Sequence, residues 1–102
     1  FKMEEEQNFK ILARRNYLFG KWIAEKLKLD DHASEHYAIE TVFSSLEEPG
    51  DHNLIRNARV DLFLEGHHLT QQEINEILVN LHQKSVYSYY EEYPYPLEKL
   101  NS

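Results

Sequence analysis

The stretch NYLFGKWIAE at residues 16–25 decides the fold of this chain. When residues 4–28 are placed on a helical wheel at steps of about 100°, their large apolar side chains fall in one half of it. A face this broad predicts a central helix that several neighbours touch. Gly20 lies inside the run, although glycine costs helix stability relative to alanine. We therefore expect either a close approach of another helix at Gly20 or a slight bend there. The apolar members of the face are Phe9, Ile11, Leu12, Leu18, Phe19, Trp22, Ile23 and Leu27.

Outward from this helix, residues that start or stop helices mark two further segments. Asp30 or Asp31 is expected to cap a second helix, and Pro49-Gly50 is expected to end it. Asp51 is the expected N-cap of a third helix, and Gly66 the residue just after its end. The apolar sets are Ala33, Tyr37, Ile39, Val42, Phe43 and Leu46 for the second helix, and Leu54, Ile55, Ala58, Leu62 and Phe63 for the third.

A fourth helix is predicted from Thr70, which forms a capping box with Glu73. No segment alternates in the manner of a strand, and the connections between helices are short, which favours antiparallel neighbours. The fold class is therefore all-α: a compact antiparallel four-helix bundle at residues 1–86, followed by an irregular C-terminal tail at residues 87–102.

The tail is defined by its tyrosines and prolines. Pro94 and Pro96 stop any helix, and the residues before them are biased towards extended backbone. We expect an extended strap whose rings lie on the bundle; the alternative is a segment that recognises a partner. The tyrosines of this tail are Tyr87, Tyr89, Tyr90, Tyr93 and Tyr95.

Composition excludes several classes of function. The chain has 102 residues, no cysteine and a formal net charge of −7. Broad binding to nucleic acid is not expected, because it needs clustered cations. No apolar run approaches the length of a membrane span. The chain opens on Phe1 and not on methionine, so we expect these residues to begin inside a longer protein.

One pattern suggests chemistry, at His32-Ala33-Ser34-Glu35-His36. It matches the H-x-x-E-H pattern of inverted zinc peptidases, and histidines four residues apart can share a metal on one helix face. No third ligand is indicated by spacing, and the domain is too small to enclose a peptide. Solvated polar residues are the preferred interpretation, and no metal site is predicted. With no glycine-rich phosphate loop either, we do not expect an enzyme.

Arg14, Arg15 and Asn16 form the more serious polar cluster. Arg15 and Asn16 fall inside the apolar half of the helix, so an intramolecular role is predicted for both. A buried guanidinium there needs a carboxylate such as Asp61 or Glu40. Arg14 points away from that face, and we expect it to be free for an anionic partner.

The order and spacing of several short motifs carry a family resemblance across residues 9–81. The chain resembles the zeta subunit family of alphaproteobacterial F-type ATP synthases. The motifs are Phe9-Lys10, Ala13-Arg14-Arg15-Asn16, Leu18, Gly20, Trp22, Ala24-Glu25, Tyr37-Ala38, Glu47-Glu48-Pro49-Gly50-Asp51 and Asp61-Leu62. From Val86 onward the chain departs from the family pattern.

The resemblance implies a regulatory protein that inhibits ATP hydrolysis by the catalytic head of the synthase. In the family, a mobile N-terminal arm enters a cleft between catalytic subunits, and Phe1-Lys2 match only the last part of that arm. The resemblance therefore assigns residues 1–3 to the end of this arm, and most of the arm is expected to be missing from this chain. The expected edge of the partner-binding surface comprises Phe1, Lys2, Phe9, Lys10 and Arg14, although Phe9 could equally belong to the core.

The resemblance also sets expectations for ligands and location. The partner is the catalytic head, and the protein is expected to be monomeric when free. We expect it in the cytoplasm, peripheral to the inner membrane through the synthase, with the mitochondrial matrix as the alternative. No cofactor is expected beyond weak binding of ATP or ADP. A nucleotide-binding helical domain without inhibitory activity is the alternative function.

Overall fold

Four α-helices make up the fold. A computed structural model describes residues 2–48 and 50–93, with side chains described from Glu5 onward. The helices are α1 (Lys2–Lys26), α2 (Asp31–Glu47), α3 (His52–Leu64) and α4 (Gln71–Glu92). No strand occurs within those residues, so the all-α prediction is confirmed. None of the described helices has the length and apolarity needed to cross a membrane.

Helix α1 is the central element, as its broad apolar face predicts. It packs against each of the other three helices, and consecutive helices also pack against each other. The buried core joins α1 to α3 and α4, and Phe19 and Ile23 are almost wholly buried within it. Trp22 stacks on Phe19 with ring centroids 6.2 Å apart, so both rings belong to the core and not to a ligand site. The buried cluster comprises Phe19, Ile23, Ile55, Ala58, Leu62, Ile74 and Leu78.

Gly20 marks the point where α1 and α2 approach most closely. A Cβ atom at this position would lie 2.7 Å from the Cα of Ala38 and 2.9 Å from Oγ1 of Thr41. Contacts below 3.0 Å to backbone are not tolerated without movement. Of the two explanations for Gly20, close approach of another helix is therefore the one confirmed.

Most helix ends follow the sequence signals. The Asp30 carboxylate accepts a hydrogen bond from the Ala33 amide at the start of α2. The predicted capping box of Thr70 and Glu73 is present at the start of α4. After α3, Gly66 has a φ of 88°, and the His67 amide bonds back to the Leu62 carbonyl. This is the Schellman arrangement that a glycine favours.

Asp51 precedes α3 as predicted but does not cap it with its side chain. Its backbone lies in the helical region, with φ −96° and ψ −4°. Both carboxylate oxygens are instead bonded to Arg15 on α1. A tertiary ion pair has therefore displaced the local cap.

The predicted apolar faces of the outer helices are partly wrong. Ile39, Phe43 and Leu46 of α2 are 42%, 59% and 49% exposed, and Phe63 of α3 is 59% exposed. Helix α2 meets α1 through the small residue Ala38, which is fully buried, and these larger side chains lie off that contact.

The prediction of an extended strap from Tyr87 is also wrong for its first part. Helix α4 continues to Glu92, through the boundary predicted between residues 86 and 87. The Tyr93 amide still bonds to the Tyr89 carbonyl at 2.8 Å, and these two rings lie 4.8 Å apart, one helical turn from each other. The helix ends there, with Tyr93 as its C-cap, and Pro94 and Pro96 lie outside the described residues. The division into residues 1–86 and 87–102 stays a prediction.

A hydrogen bond between Tyr37 and Asp61 links α2 to α3 and predicts a dependence of stability on pH. The Tyr37 hydroxyl donates to Asp61 at 2.5 Å. Burial and then this carboxylate raise the pKa of Tyr37 well above its ordinary value of 10. The unfolded chain therefore releases this proton first as pH rises. The stabilising contribution is full below about pH 10 and is lost as pH rises towards the folded-state pKa.

We accordingly expect the free energy of unfolding to fall above pH 10 and Tyr37→Phe to remove part of this fall. The part due to Tyr37 should be roughly 1 kcal/mol between pH 8 and 11, because the slope rises towards its limit of about 1.4 kcal/mol per pH unit only once the unfolded tyrosine is ionised and because solvent screens this half-buried site. Denaturant unfolding from pH 8 to 11 measures it. Tyr87→Phe, at a site 73% exposed, is the control. Identical pH profiles for the two variants would contradict the assignment.

Candidate partner-binding surface

The end of α4 is bound to the N-terminal half of α1 by side-chain contacts. Arg14 donates a 2.7 Å hydrogen bond to Ser88 and forms an ion pair with Glu92. Gln7 donates a 2.6 Å hydrogen bond to the Tyr90 hydroxyl. We name these α4 residues, together with Tyr93, the C-terminal clasp.

Tyr93 of the clasp contacts Lys10 of α1 through its aromatic ring. The Lys10 ammonium group lies 4.6 Å from the centroid of the Tyr93 ring, within the range of a cation–π interaction. Gln7, Lys10 and Arg14 recur every three or four residues, so they lie on one face of α1. The clasp therefore covers one continuous polar stripe of α1.

The clasp corrects the expectation that Arg14 is free. Its side chain is 31% exposed and is already paired with a carboxylate. The hydrogen bond from Arg14 holds the pKa of Glu92 below its ordinary value. The stabilising contribution of this carboxylate is therefore present above its unfolded pKa and is lost as pH falls through its folded pKa.

The other predicted partner-binding residues have different surroundings. Phe9 is 53% exposed, so the alternative that it belongs to the core is wrong. Lys2 is the first residue of α1. Phe1 lies outside the described residues. Phe9, Lys10 and Arg14 thus lie on the same N-terminal half of α1, with Phe9 open to solvent and the two cations in the clasp.

The sequence of this four-helix domain matches one family model, described as ATPase inhibitor subunit zeta, over residues 1–87. The chain belongs to this family. The match covers most of the chain and extends the resemblance beyond residues 9–81 in both directions. The description is of an inhibitor subunit and not of a catalytic one. No curated protein and no solved structure shows significant similarity to the chain.

The family match ends where the clasp begins. Ser88, Tyr90, Glu92 and Tyr93 all follow residue 87, so the clasp is a feature of this zeta-family chain beyond the matched region. Its contacts join residues that are 74 to 83 positions apart, which no local sequence pattern reveals.

Arg15 and Asn16 have the intramolecular role predicted for them. Both are buried, and Arg15 donates two hydrogen bonds to Asp51, at 2.6 and 3.2 Å, and one to Asn16 at 2.9 Å. The predicted carboxylate partners are wrong, because Asp61 is bonded to Tyr37 instead. These side chains are therefore part of the scaffold and not of an open binding site.

The histidine motif at the start of α2 has no metal geometry. His32 and His36 are exposed, and Glu35 is bonded to the Tyr17 hydroxyl at 2.5 Å and lies 3.2 Å from the Lys21 ammonium. Tyr17 and then Lys21 lower the pKa of Glu35, because both stabilise its charged form. Among the residues that the structure describes, no group of three or more potential metal ligands occurs.

The clasp predicts a measurable effect on the N-terminal half of α1. Glu92→Gln removes the ion pair with Arg14 while preserving side-chain shape. We expect amide hydrogen exchange at residues 5–13 to become about two- to threefold faster, the modest effect of a surface pair. Glu91→Gln is the matched control, since Glu91 is an exposed neighbouring carboxylate. Equal exchange in the two variants would show that the ion pair does not hold α1.

Proposed function

We propose that this protein inhibits ATP hydrolysis by an F-type ATP synthase. The observation that carries the proposal is the match to the ATPase inhibitor subunit zeta family over residues 1–87. A regulator needs a stable body and a surface for its target, and the described chain offers both. The partner is the catalytic head, which places the protein on the cytoplasmic side of the inner membrane; the mitochondrial matrix is the alternative.

The mechanism we propose is steric. An N-terminal arm inserts between catalytic subunits and becomes ordered there; of residues 1–3, assigned above to its end, Lys2 already begins α1. The ordering cost is offset by the new contacts, as in other segments that fold on binding. Once inserted, the arm prevents the opening and closing of the catalytic subunits that hydrolysis requires. The four-helix domain remains outside the cleft as an anchor.

The proposed contact surface comprises Phe1, Lys2, Phe9, Lys10 and Arg14. Phe9 supports it as a large apolar side chain that is open to solvent on α1. Lys10 and Arg14 are already engaged by Tyr93 and Glu92. Contact of these two cations with the catalytic head therefore requires them to exchange the clasp for carboxylate or aromatic groups of the partner.

Two comparisons test the mechanism in an assay of ATP hydrolysis by the purified cognate head. A version of the chain that carries the proposed arm at its N-terminus should inhibit more strongly than these 102 residues alone. Phe9→Ala should weaken inhibition by the version with the arm about tenfold, as expected for an apolar anchor. Phe43→Ala, at an equally open phenylalanine of α2, should not.

Equal potency of the two lengths would refute the role of the arm, and equal potency of the two alanine variants would refute the role of Phe9. A titration with ATP and ADP, followed by amide NMR, tests the alternative of a nucleotide-binding domain. Saturable shifts at one site, without inhibition by the version with the arm, would favour that alternative.

A further inference from the structure

A cavity of about 590 Å³ opens along α3 and the connection from α3 to α4. We name it the basic groove. Its lining includes Arg56, Arg59, His52, His67 and His68, and none of the residues that line it is acidic. Its two arginines give the lining a positive charge, whereas the whole chain carries a formal net charge of −7, with histidines counted as neutral in both. The groove is therefore a local region of positive charge on an acidic protein.

One wall of the basic groove is apolar and open to solvent. Val60, Phe63 and Leu64 lie within about one helical turn and are 50%, 59% and 74% exposed. The Phe63 ring contacts the edge of His68, with ring centroids 4.7 Å apart. Apolar groups that adjoin one another and are rimmed by polar residues mark a binding surface more often than scattered ones do.

The two arginines of the basic groove have different surroundings. Arg59 donates a 3.2 Å hydrogen bond to the Leu69 carbonyl, which fixes it against the connection between the helices. Arg56 is exposed and has neither a hydrogen bond nor an ion pair within the part of the chain that the structure describes. Arg56 is thus available to a carboxylate on the occupant.

The start of α4 disfavours a phosphate as that occupant. The capping box there bonds the Thr70 amide to the Glu73 carboxylate and the Glu73 amide to the Thr70 hydroxyl, and that carboxylate adds negative charge. The pKa of Glu73 is lowered by its bonds to Thr70, so the group is ionised at neutral pH. A phosphate at this end of the groove would therefore be repelled by the Glu73 carboxylate.

We propose that the basic groove binds an acidic amphipathic helix of a partner protein. Leucine-like side chains spaced three or four residues apart would pack on Val60, Phe63 and Leu64, and flanking carboxylates would pair with Arg56 and Arg59. Such a complex would resemble other amphipathic helices that bind in apolar grooves, with complementary charges on the two partners. The surface is distinct from the N-terminal half of α1 and operates whether or not an arm is present, so it goes beyond the proposed function.

A titration of the isotope-labelled chain with a synthetic peptide tests the proposal by amide NMR. The probe is a peptide of about 18 residues, with leucine at helical spacing, glutamate flanking the leucine face and alanine elsewhere, so that helix propensity is high and repulsion between glutamates is limited. Its control has the same composition in scrambled order. We expect shifts concentrated at residues 52–71 that weaken as salt is raised.

Two matched pairs of variants separate the charged and apolar contributions. Arg56→Glu and Phe63→Ala should each weaken binding of the peptide roughly tenfold. Lys84→Glu makes the same charge change on α4, and Phe43→Ala removes a phenylalanine of equal exposure on α2; neither should change the affinity by more than about twofold.

Three results would overturn the proposal: the absence of shifts in the basic groove, equal binding of the scrambled peptide, or equal losses in each matched pair. If ATP produced the same shifts at lower concentration than the peptide, the groove would be a site for a small anion. The peptide titration does not use the synthase. A negative titration would therefore not contradict the proposed inhibition, and a negative inhibition assay would not contradict peptide binding in the basic groove.

Discussion

Replacing Gly20 with alanine should destabilise the protein by about 2 kcal/mol, although the same exchange usually stabilises a helix. The gain in helix propensity is at most about 1 kcal/mol. Against it, the new methyl group would lie 2.7 Å from the Cα of Ala38, which belongs to the backbone of α2 and cannot rotate away. The two helices must separate, and the contacts beside Gly20 must loosen.

Equilibrium denaturation of the two proteins measures this effect. A loss of this size would lower the midpoint of thermal unfolding by roughly 10 °C in a chain of this length. Gly20→Val should destabilise more, because its branched side chain needs still more space. Asn80→Ala, at an exposed site on α4, should slightly stabilise, as helix propensity alone predicts. A stabilised Gly20→Ala variant would show that α1 and α2 are not in close contact.

Asp51→Ala should cost about 2 kcal/mol of unfolding free energy, because it leaves the Arg15 guanidinium buried without its carboxylate. The Arg15 side chain is 8% exposed and the Asp51 side chain 46% exposed. Breaking a fully buried pair costs about 3–5 kcal/mol, and solvent access to Asp51 reduces that figure here. The energetic penalty falls on the arginine, since its charge remains inside the domain.

Denaturant unfolding of four proteins tests this interpretation. Glu48→Ala removes an exposed carboxylate three residues away and should change stability by less than about 0.5 kcal/mol. The double variant Arg15→Met with Asp51→Ala should recover much of the loss, because no buried charge remains. Equal effects of Asp51→Ala and Glu48→Ala would contradict a structural ion pair.

The features predicted correctly from sequence are those that local chemistry determines. The Asp30 cap, the box of Thr70 and Glu73 and the turn at Gly66 each depend on a few neighbouring residues. The central position of α1 followed from the width of its apolar face, and the helix contact at Gly20 from an otherwise costly residue. The intramolecular role of Arg15 followed from its place within that face.

The features that were missed depend on contacts distant in sequence. Arg14 lies off the apolar face, yet its guanidinium forms an ion pair with Glu92, which is 78 positions later in the chain. The local sequence predicts Asp51 as the cap of α3, because it does not indicate that Arg15 of α1 lies beside this carboxylate. Phe63 reads as a core residue, since periodicity gives the direction of a side chain on its helix but not whether another helix covers it.

These contacts also define what regulation by this chain would involve. The clasp holds the polar stripe of α1 that includes two of the proposed partner-binding cations, Lys10 and Arg14. Phe9 remains open on the same half of the helix. A partner that binds through this region, as we propose, must compete with the end of α4 for these two cations.

The most direct measurement is the rate of ATP hydrolysis by the purified cognate catalytic head as the protein with its proposed N-terminal arm is added. We expect the rate to fall to a small residual value once the protein is in excess, with no ATP consumed by the inhibitor itself. An unchanged rate at saturating protein, under conditions in which the helical domain is shown to be folded, would contradict inhibition as the function of this family member.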